Sequence, residues 1–269
     1  MVKREHYRTA IVQNKPLRNT EASIAAALDL INTAAQKAGL VILPEMFTTP
    51  YEFALMRSAS QFSSAALEKC RETAARHSVF ICCGSMPVMR GNTLSNTSYL
   101  ISDTGLILYE YDKCHLFDVR LPEITVSESR IFSPGNSLKL AQTSIGCIGT
   151  IICYDIRFPE LARRLTLDGM QLLCVPAAFS TTTGPAHWHT VMRARAIENQ
   201  IYVCAASPAR DADSAYPAYG HSMIVDPWGK IIAEAGHEET IIYADISLEM
   251  VSTIRKRMPL LEHRRAELY

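Results

Sequence analysis

GCIGTIICYDIRFPE, residues 146–160, joins an apolar run to a polar cluster and then to a helix start. The run Cys147–Cys153 has the length and the β-branched content of a buried strand. Pro159 is suited to the first turn of a helix. The stretch therefore predicts a strand that turns into a helix and presents Cys153 at the edge of a sheet.

Similar short apolar runs recur along the whole chain and predict ten further strands. Turn residues at 103–105 and 226–229 separate neighbouring runs, as in hairpins. The ten runs are Thr9–Gln13, Leu40–Leu43, Val79–Gly84, Thr97–Ser102, Ile107–Tyr111, Gln171–Val175, Tyr202–Ala206, Ser222–Asp226, Ile231–Glu234 and Ile241–Asp245.

Helical periodicity lies between several of these runs. One helix precedes Gly39, with Asn19 or Thr20 as its N-cap. Four more are predicted, and they are Ser64–His77, Leu161–Leu167, Ala186–Asn199 and Leu248–Arg257. The order of elements predicts an α/β fold in one domain, residues 1–269. A four-layer α-β-β-α sandwich fits this order, and so does a doubly wound single sheet.

The composition narrows the class of protein. Lys plus Arg and Asp plus Glu both number 27, so no basic excess favours nucleic acid. No segment reaches the roughly 20 apolar residues that cross a bilayer, and no signal-peptide core follows the charged amino-terminus. The eight cysteines lack the paired spacing of a zinc site and resemble small buried residues of a reducing compartment. A soluble cytoplasmic protein is expected.

Two other strand-like runs end in a charged residue. Pro44 cannot donate to a sheet, so the run before it should stop and leave Glu45 among apolar neighbours. Such surroundings disfavour the ionised carboxylate, which suits a proton shuttle. Lys113 follows Ile107–Tyr111 and could stabilise a developing oxyanion. Taken singly, Glu45 could equally be a surface glutamate at the start of a loop. Lys113 could equally be an ordinary solvated lysine.

Cys153 has the features of a nucleophile. A strand-to-helix turn leaves backbone N–H groups free for an oxyanion hole, and nearby cations are expected to lower the pKa of the thiol. The alternative interpretation is a buried structural cysteine. A papain-like pair would need a histidine, and His115, His187 and His221 are candidates by residue type only. G-x-S-x-G and the two glycine-rich nucleotide motifs are absent.

Together the three segments resemble the nitrilase (carbon–nitrogen hydrolase) superfamily, which has a Glu-Lys-Cys triad in this order. The matching motifs are Leu43–Glu45, Asp112–Asp118 and Ile152–Glu160. Other segments are similar to the branch that contains ω-amidases and deaminated-glutathione amidases. They are Thr182–Trp188, Arg193–Ala196, Ser207–Arg210, Gly220–Ser222, Pro227–Gly229 and Met258–Tyr269.

The resemblance implies an α-β-β-α sandwich that forms a homodimer or a higher homo-oligomer, with residues 247–269 as an interface arm. It implies no metal ion and no organic cofactor. Glu45 would be the base, Lys113 the cation beside the carbonyl and Cys153 the nucleophile. Glu128 falls where many members carry a second glutamate near the triad.

Two departures from the family pattern bear on specificity. Many relatives have Glu directly after the His-Trp pair, where this chain has His189, and the segment 119–123 differs from the loop common in ω-amidases. Candidates for the oxyanion hole or for substrate binding are Tyr154, Arg157, Thr181, Thr183 and His187.

The expected function is hydrolysis of the terminal amide of small dicarboxylic or 2-oxo acid ω-amides, such as 2-oxoglutaramate or succinamate, to acid and ammonia through a cysteine thioester. Alternatives within the same chemistry are a deaminated-glutathione amidase and a hydrolase of N-carbamoyl or nitrile substrates. A catalytically silent binding protein on the same fold is the alternative from a different class.

Overall fold

The computed structural model describes residues 4–268, so residues 1–3 and the last residue of the predicted interface arm lie outside it. The strands are β1 (His6–Gln13), β2 (Leu40–Ile42), β3 (Phe80–Cys82), β4 (Met86–Arg90), β5 (Thr93–Ile101), β6 (Ile107–Asp112), β7 (Asp118–Arg120), β8 (Thr125–Ser127), β9 (Leu140–Thr143), β10 (Gly146–Thr150), β11 (Leu172–Pro176), β12 (Tyr202–Ala206), β13 (Met223–Val225), β14 (Ile231–Glu234) and β15 (Thr240–Ser247). The α-helices are α1 (Thr20–Ala35), α2 (Phe53–Ala59), α3 (Ser63–His77), α4 (Pro159–Leu167), α5 (Gly184–Asn199) and α6 (Leu248–Arg257).

The first sheet has seven strands in the order β15-β1-β2-β3-β5-β4, with β6 also paired to β5. Strands β1, β2 and β3 are parallel, while β15 and the β4–β6 group are antiparallel. Side chains alternate between its faces. Ile11 faces the second sheet, whereas its neighbours Ala10 and Val12 face helices α1 and α3.

The second sheet has six strands in the order β14-β13-β12-β11-β10-β9. Its centre, β10-β11-β12, is parallel and fully buried, as expected for strands covered on both faces. The two sheets touch directly, because Tyr109 Oη on β6 lies 2.8 Å from Thr150 Oγ1 on β10. Helices α4 and α5 pack together on the outer face of this sheet.

The layers are therefore helix, sheet, sheet and helix, which confirms the predicted α-β-β-α sandwich; the alternative of a doubly wound single sheet is wrong. The described residues, 4–268, include no helix that is long and apolar enough to cross a membrane.

The structure differs from the sequence-based expectation at several elements. Strand β4 was not predicted, because Pro87 argues against a strand; the structure places β4 at the sheet edge, where proline is tolerated. Helix α2 and strands β7, β8 and β9 are too short to show a period. The predicted strand Cys147–Cys153 ends at Thr150, so Cys153 lies three residues beyond the strand.

Candidate active site

Glu45 lies beyond the end of β2, where a close backbone contact fixes its position. The N–H of Ser85 donates to the carbonyl of Pro44 at 3.1 Å, and the N–H of Met46 donates to Ser85 Oγ at 3.2 Å. Gly84 has a φ of +42°, and a Cβ there would lie 2.1 Å from the Pro44 carbonyl oxygen. Only glycine fits this approach. The carboxyl of Glu45 is thereby held fully buried.

Lys113 follows β6 and places its ammonium between two carboxylates. Its backbone is fixed on both sides, since its N–H donates to Asn96 at 2.9 Å and its carbonyl accepts from Gly135 at 2.8 Å. Its Nζ lies 2.9 Å from Glu45 Oε1 and 2.8 Å from Glu128 Oε2. All three charged side chains are completely buried. When all are ionised, the cluster carries a net charge of minus one.

Asn96 and Phe117 complete the support of this cluster. Asn96 Nδ2 donates to Glu45 Oε1 at 2.8 Å and to Glu128 Oε1 at 3.3 Å. The N–H of Phe117 donates to Glu128 Oε2 at 2.6 Å. Oε2 of Glu45 is buried, and no N–H or O–H group of the described part of the chain donates to it; the thiol of Cys153 lies within hydrogen-bonding reach of the same carboxylate. Oε2 is therefore the oxygen that is free to accept a proton.

Cys153 begins a short 3-10 helix, Cys153–Arg157, and has a left-handed backbone with a φ of 48°. A non-glycine residue rarely adopts this conformation, and such strain is concentrated at functional sites. The sulfur accepts the N–H of Ala178 at 3.5 Å. Because a helix start leaves N–H groups without a partner inside the helix, the N–H of Tyr154 is near the thiol and available.

Asp155 connects the segment after Lys113 to the turn that carries the thiol. Its Oδ2 accepts the N–H of Ile152 at 3.0 Å and the hydroxyl of Tyr111 at 2.6 Å. Its Oδ1 accepts the N–H of His115 at 2.8 Å and lies 2.9 Å from Nδ1 of the same residue. A single buried carboxylate thus fixes two distant segments relative to each other.

The buried charges control the protonation of the thiol. Burial raises the pKa of Glu45, although Lys113 opposes this shift. Burial alone would lower the pKa of Lys113, but Glu128 and Glu45 raise it well above its ordinary value. Burial and the charge of Glu45 raise the pKa of Cys153 well above normal, despite Lys113 and the Ala178 N–H. The prediction of a lowered thiol pKa is therefore wrong, because burial and the charge of Glu45 together outweigh the lysine.

Two cavities meet at this site. One, the smaller, lies beside the thiol, and the other reaches Glu45 and Ala178. Tyr216 lines both, and its hydroxyl donates to the carbonyl of Ala178 at 2.9 Å. The smaller cavity is lined by Phe117, Cys153, Tyr154, Arg157, Phe179, Thr183 and Tyr216.

The guanidinium of Arg157 has aromatic neighbours and a histidine but no carboxylate. Its Cζ lies 4.6 Å from the ring centre of Phe179 and 5.9 Å from that of Tyr154. Its Nη1 donates to Nδ1 of His187 at 3.1 Å. Among residues 4–268 no acidic side chain pairs with it. Arg157 therefore keeps a positive charge available to an anionic group in the cavity.

The structure brings most of the predicted site residues together. Thr183 lines the smaller cavity, and His187 reaches it only through Arg157. Thr181 borders neither of the two cavities; its N–H donates to the carbonyl of Pro217 at 3.1 Å. Sequence reasoning missed four residues that support the site, and they are Asn96, Ala178, Phe179 and Tyr216. Among them only Phe179, close to the predicted binding loop, had a positional signal.

Residues 119–123, the segment that differs from the loop common in ω-amidases, lie in a hairpin of β7 and β8. The two strands pair at Val119 and Val126. Ile124 and Val126 border an open hollow together with Tyr51 and Tyr216. Glu128 follows β8 directly. The hairpin therefore stands between the solvent and the buried charges, where its sequence can affect which substrates enter.

Comparison with known proteins agrees with this geometry. Residues 8–256 match the family model described as Carbon-nitrogen hydrolase. Omega-amidase NIT2 from Mus musculus is 41% identical over 266 residues, which cover 98% of this chain and 96% of that protein. The crystal structure of Saccharomyces cerevisiae Nit3, a member of branch 10 of the nitrilase superfamily, aligns with a TM-score of 0.89 and 34% identity over 98% of each chain.

A third relative bears on the chemistry. A variant of the amidase from Nesterenkonia sp. AN1 aligns with a TM-score of 0.81 and 25% identity, covering 100% of this chain and 97% of that one. That structure shows covalent addition of the acetamide moiety of fluoroacetamide at the active-site cysteine. From its motifs, its fold and these alignments, the chain belongs to the carbon–nitrogen hydrolase family.

Proposed function

We propose that this protein is an ω-amidase, which hydrolyses the terminal amide of small dicarboxylic or 2-oxo acids, such as succinamate or 2-oxoglutaramate, to acid and ammonia. The observation that carries the proposal is the pairing of two features in one cavity. The thiol of Cys153 lies within hydrogen-bonding reach of Glu45 in the buried Glu45–Lys113–Glu128 cluster. Arg157 offers an unpaired charge in the cavity beside the sulfur. The relatives named ω-amidases, about 40% identical over nearly the whole chain, support the same activity.

In the proposed mechanism Glu45 acts as general base. The free Oε2 takes the proton of Cys153 as the sulfur attacks the amide carbon, because the raised pKa keeps the thiol protonated until then. Lys113 and the N–H groups of Tyr154 and Ala178 are suited to stabilise the oxyanion, and loss of one such donor typically costs ~10²–10³ in rate.

The tetrahedral intermediate then collapses. The C–N bond breaks, Glu45 returns the proton to the departing nitrogen, and ammonia leaves a thioester on Cys153. Glu45 next removes a proton from a water molecule, and the oxygen of that water attacks the thioester carbon. The C–S bond breaks, and the thiol recovers its proton. Two moderate barriers replace one high barrier.

Arg157 is proposed to bind the distal carboxylate of the substrate, with the Thr183 hydroxyl as a second donor. Both side chains line the small cavity beside the sulfur, and His187 and Phe179 hold the guanidinium in place. Arginine is well suited to this role because its fork of donors matches a carboxylate.

The activity is tested by ammonia release from a panel of succinamate, 2-oxoglutaramate, deaminated glutathione, an N-carbamoyl amino acid and an aliphatic nitrile. The ω-amides are expected to react fastest, and Cys153→Ala is expected to abolish turnover while the circular dichroism spectrum is preserved. Faster turnover of deaminated glutathione would transfer the assignment to that substrate. Absence of any acyl adduct by mass spectrometry, on every substrate, would indicate a silent binding protein.

The role of Arg157 has its own test. Arg157→Met should raise KM for succinamate about 10–100-fold, since a hydrogen bond to a charged group contributes roughly 1.5–3 kcal/mol. KM for the methyl ester of succinamate, which lacks the carboxylate, should change little. Arg164→Met is the matched control, because Arg164 is 70% exposed and pairs only with Asp168 among its described charge partners. An equal rise of KM for acid and ester would refute carboxylate binding by Arg157.

We also propose that residues 247–269 act as the interface arm of a homodimer. Met258 and Leu268 in this segment are exposed apolar residues, 36% and 62% accessible, next to the basic end of α6. Size-exclusion chromatography with light scattering tests this, since replacing the exposed Met258 and Leu268 by glutamate should yield a folded monomer. A cytoplasmic location is proposed from the eight free cysteines, which suit a reducing compartment.

A further inference from the structure

Two histidines and a glutamate converge on the outer face of the second sheet. His189 lies on α5, His221 precedes β13, and Glu234 ends β14. His189 Nε2 lies 2.8 Å from Glu234 Oε1, and His221 Nδ1 lies 3.2 Å from the same oxygen. All three atoms fall within 4.8 Å of one another. They come from three separate elements, so the fold and not local sequence brings them together.

The surrounding contacts hold the rings in place. The carbonyl of His221 accepts Nε1–H of the buried Trp188 at 2.7 Å, which joins the loop to α5. Tyr219 stacks on the His221 ring with centroids 4.3 Å apart. The side chains of His189, His221 and Glu234 are 34%, 26% and 34% exposed, so an ion can reach them from solvent.

We propose that His189, His221 and Glu234 form a binding site for Zn²⁺. Two imidazoles and a carboxylate are ligands that zinc accepts at about 2.0–2.2 Å in a tetrahedral arrangement. That arrangement places ligand atoms about 3.3 Å apart, close to the observed contacts of 2.8 and 3.2 Å. The exposed side of the cluster leaves the fourth position to water.

The ion would fasten the first half of α5 to the β13–β14 hairpin. Thr183, which lines the proposed substrate cavity, precedes α5, and His187, which contacts Arg157 of that cavity, lies within the first turns of the helix. Trp188, beside the site, packs edge-on against Phe179 at 5.1 Å between ring centres. Zinc at this position would therefore stabilise the wall of the cavity without touching the reacting atoms.

The site is tested by isothermal titration of Zn²⁺ into the full-length Cys153→Ala protein, which removes the active-site thiol as a competing ligand. One equivalent should bind, and a hundredfold excess over Kd should raise Tm by about 5 °C. His189→Gln and His221→Gln should each weaken binding at least about tenfold, the loss that even an outer-shell partner of a metal ligand commonly causes. His237→Gln is the matched control, because His237 pairs with a glutamate on the exposed surface.

Titration with Co²⁺ identifies the ligands. Visible d–d absorption without a thiolate charge-transfer band would support nitrogen and oxygen ligation, and it should disappear in His189→Gln. Either of two results overturns the site. One is a lack of Zn²⁺ binding, which would leave only a hydrogen-bonded histidine–glutamate cluster. The other is binding that His189→Gln and His221→Gln leave unchanged, which would place the ion elsewhere.

Discussion

Asn96 offers a direct test of how the buried charges tune the proposed base. Its amide donates to Glu45 Oε1 at 2.8 Å and to Glu128 Oε1 at 3.3 Å. Neither of these hydrogen bonds involves the thiol of Cys153. Asn96→Leu keeps the branched shape of the side chain but removes both donors. The variant should leave the ion pairs of Lys113 in place and make the ionised form of Glu45 less stable.

The size of the effect follows from the lost hydrogen bond. A hydrogen bond to a charged group contributes roughly 1.5–3 kcal/mol, and 1.36 kcal/mol corresponds to one unit of pKa. Glu45 must be ionised to take the thiol proton, and its pKa is already raised by burial. Removing a donor to the ionised form raises that pKa further. The acid limb of the pH profile should therefore move to higher pH by about one to two units.

The assay is kcat/KM for ammonia release from succinamate across the stable pH range, since this parameter reports the ionisation of the free enzyme. Asn14→Leu is the matched control: Asn14 is also buried, but its amide donates to the neutral carbonyl of Phe47 at 2.9 Å. The control should leave the acid limb in place. If Asn96→Leu lowers kcat/KM equally at every pH, the amide only supports the structure, and the reasoning about Glu45 fails.

Two further predictions concern stability. Lys113→Met leaves two carboxylates buried without their cation, and it should lower the free energy of unfolding by about 3–5 kcal/mol in urea titrations. Adding Glu128→Gln to this variant removes one of the two charges and should recover part of the lost stability. If nothing is recovered, the buried charges are not the cause of the loss. Gly84→Ala should lower the free energy of unfolding by more than the ~1–2 kcal/mol of left-handed backbone strain, because the new methyl meets the Pro44 carbonyl at 2.1 Å. Gly91→Ala, with a φ of +60° and open space around it, should show the backbone cost alone, and equal losses for the two variants would refute the contact argument.

The sequence by itself was sufficient for the central strands, for the longer helices and for the type of chemistry. Apolar runs predicted the central strands because a strand buried on both faces must be apolar throughout, as Leu172–Pro176 and Tyr202–Ala206 are. Asn19 was a predicted N-cap, and its side chain accepts the N–H of Ala22. Each of Glu45, Lys113 and Cys153 follows a strand-like run, so their residue types and order were visible without coordinates.

Only the tertiary structure decided how these groups act on one another. The pKa of Cys153 rises because burial of the thiol and the charge of Glu45 outweigh Lys113, and that balance depends on contacts between residues far apart in the chain. The supporting amide of Asn96 lies in the middle of a strand and carries no local signal. Packing and burial are collective properties of the two sheets, and the local pattern of residues does not contain them.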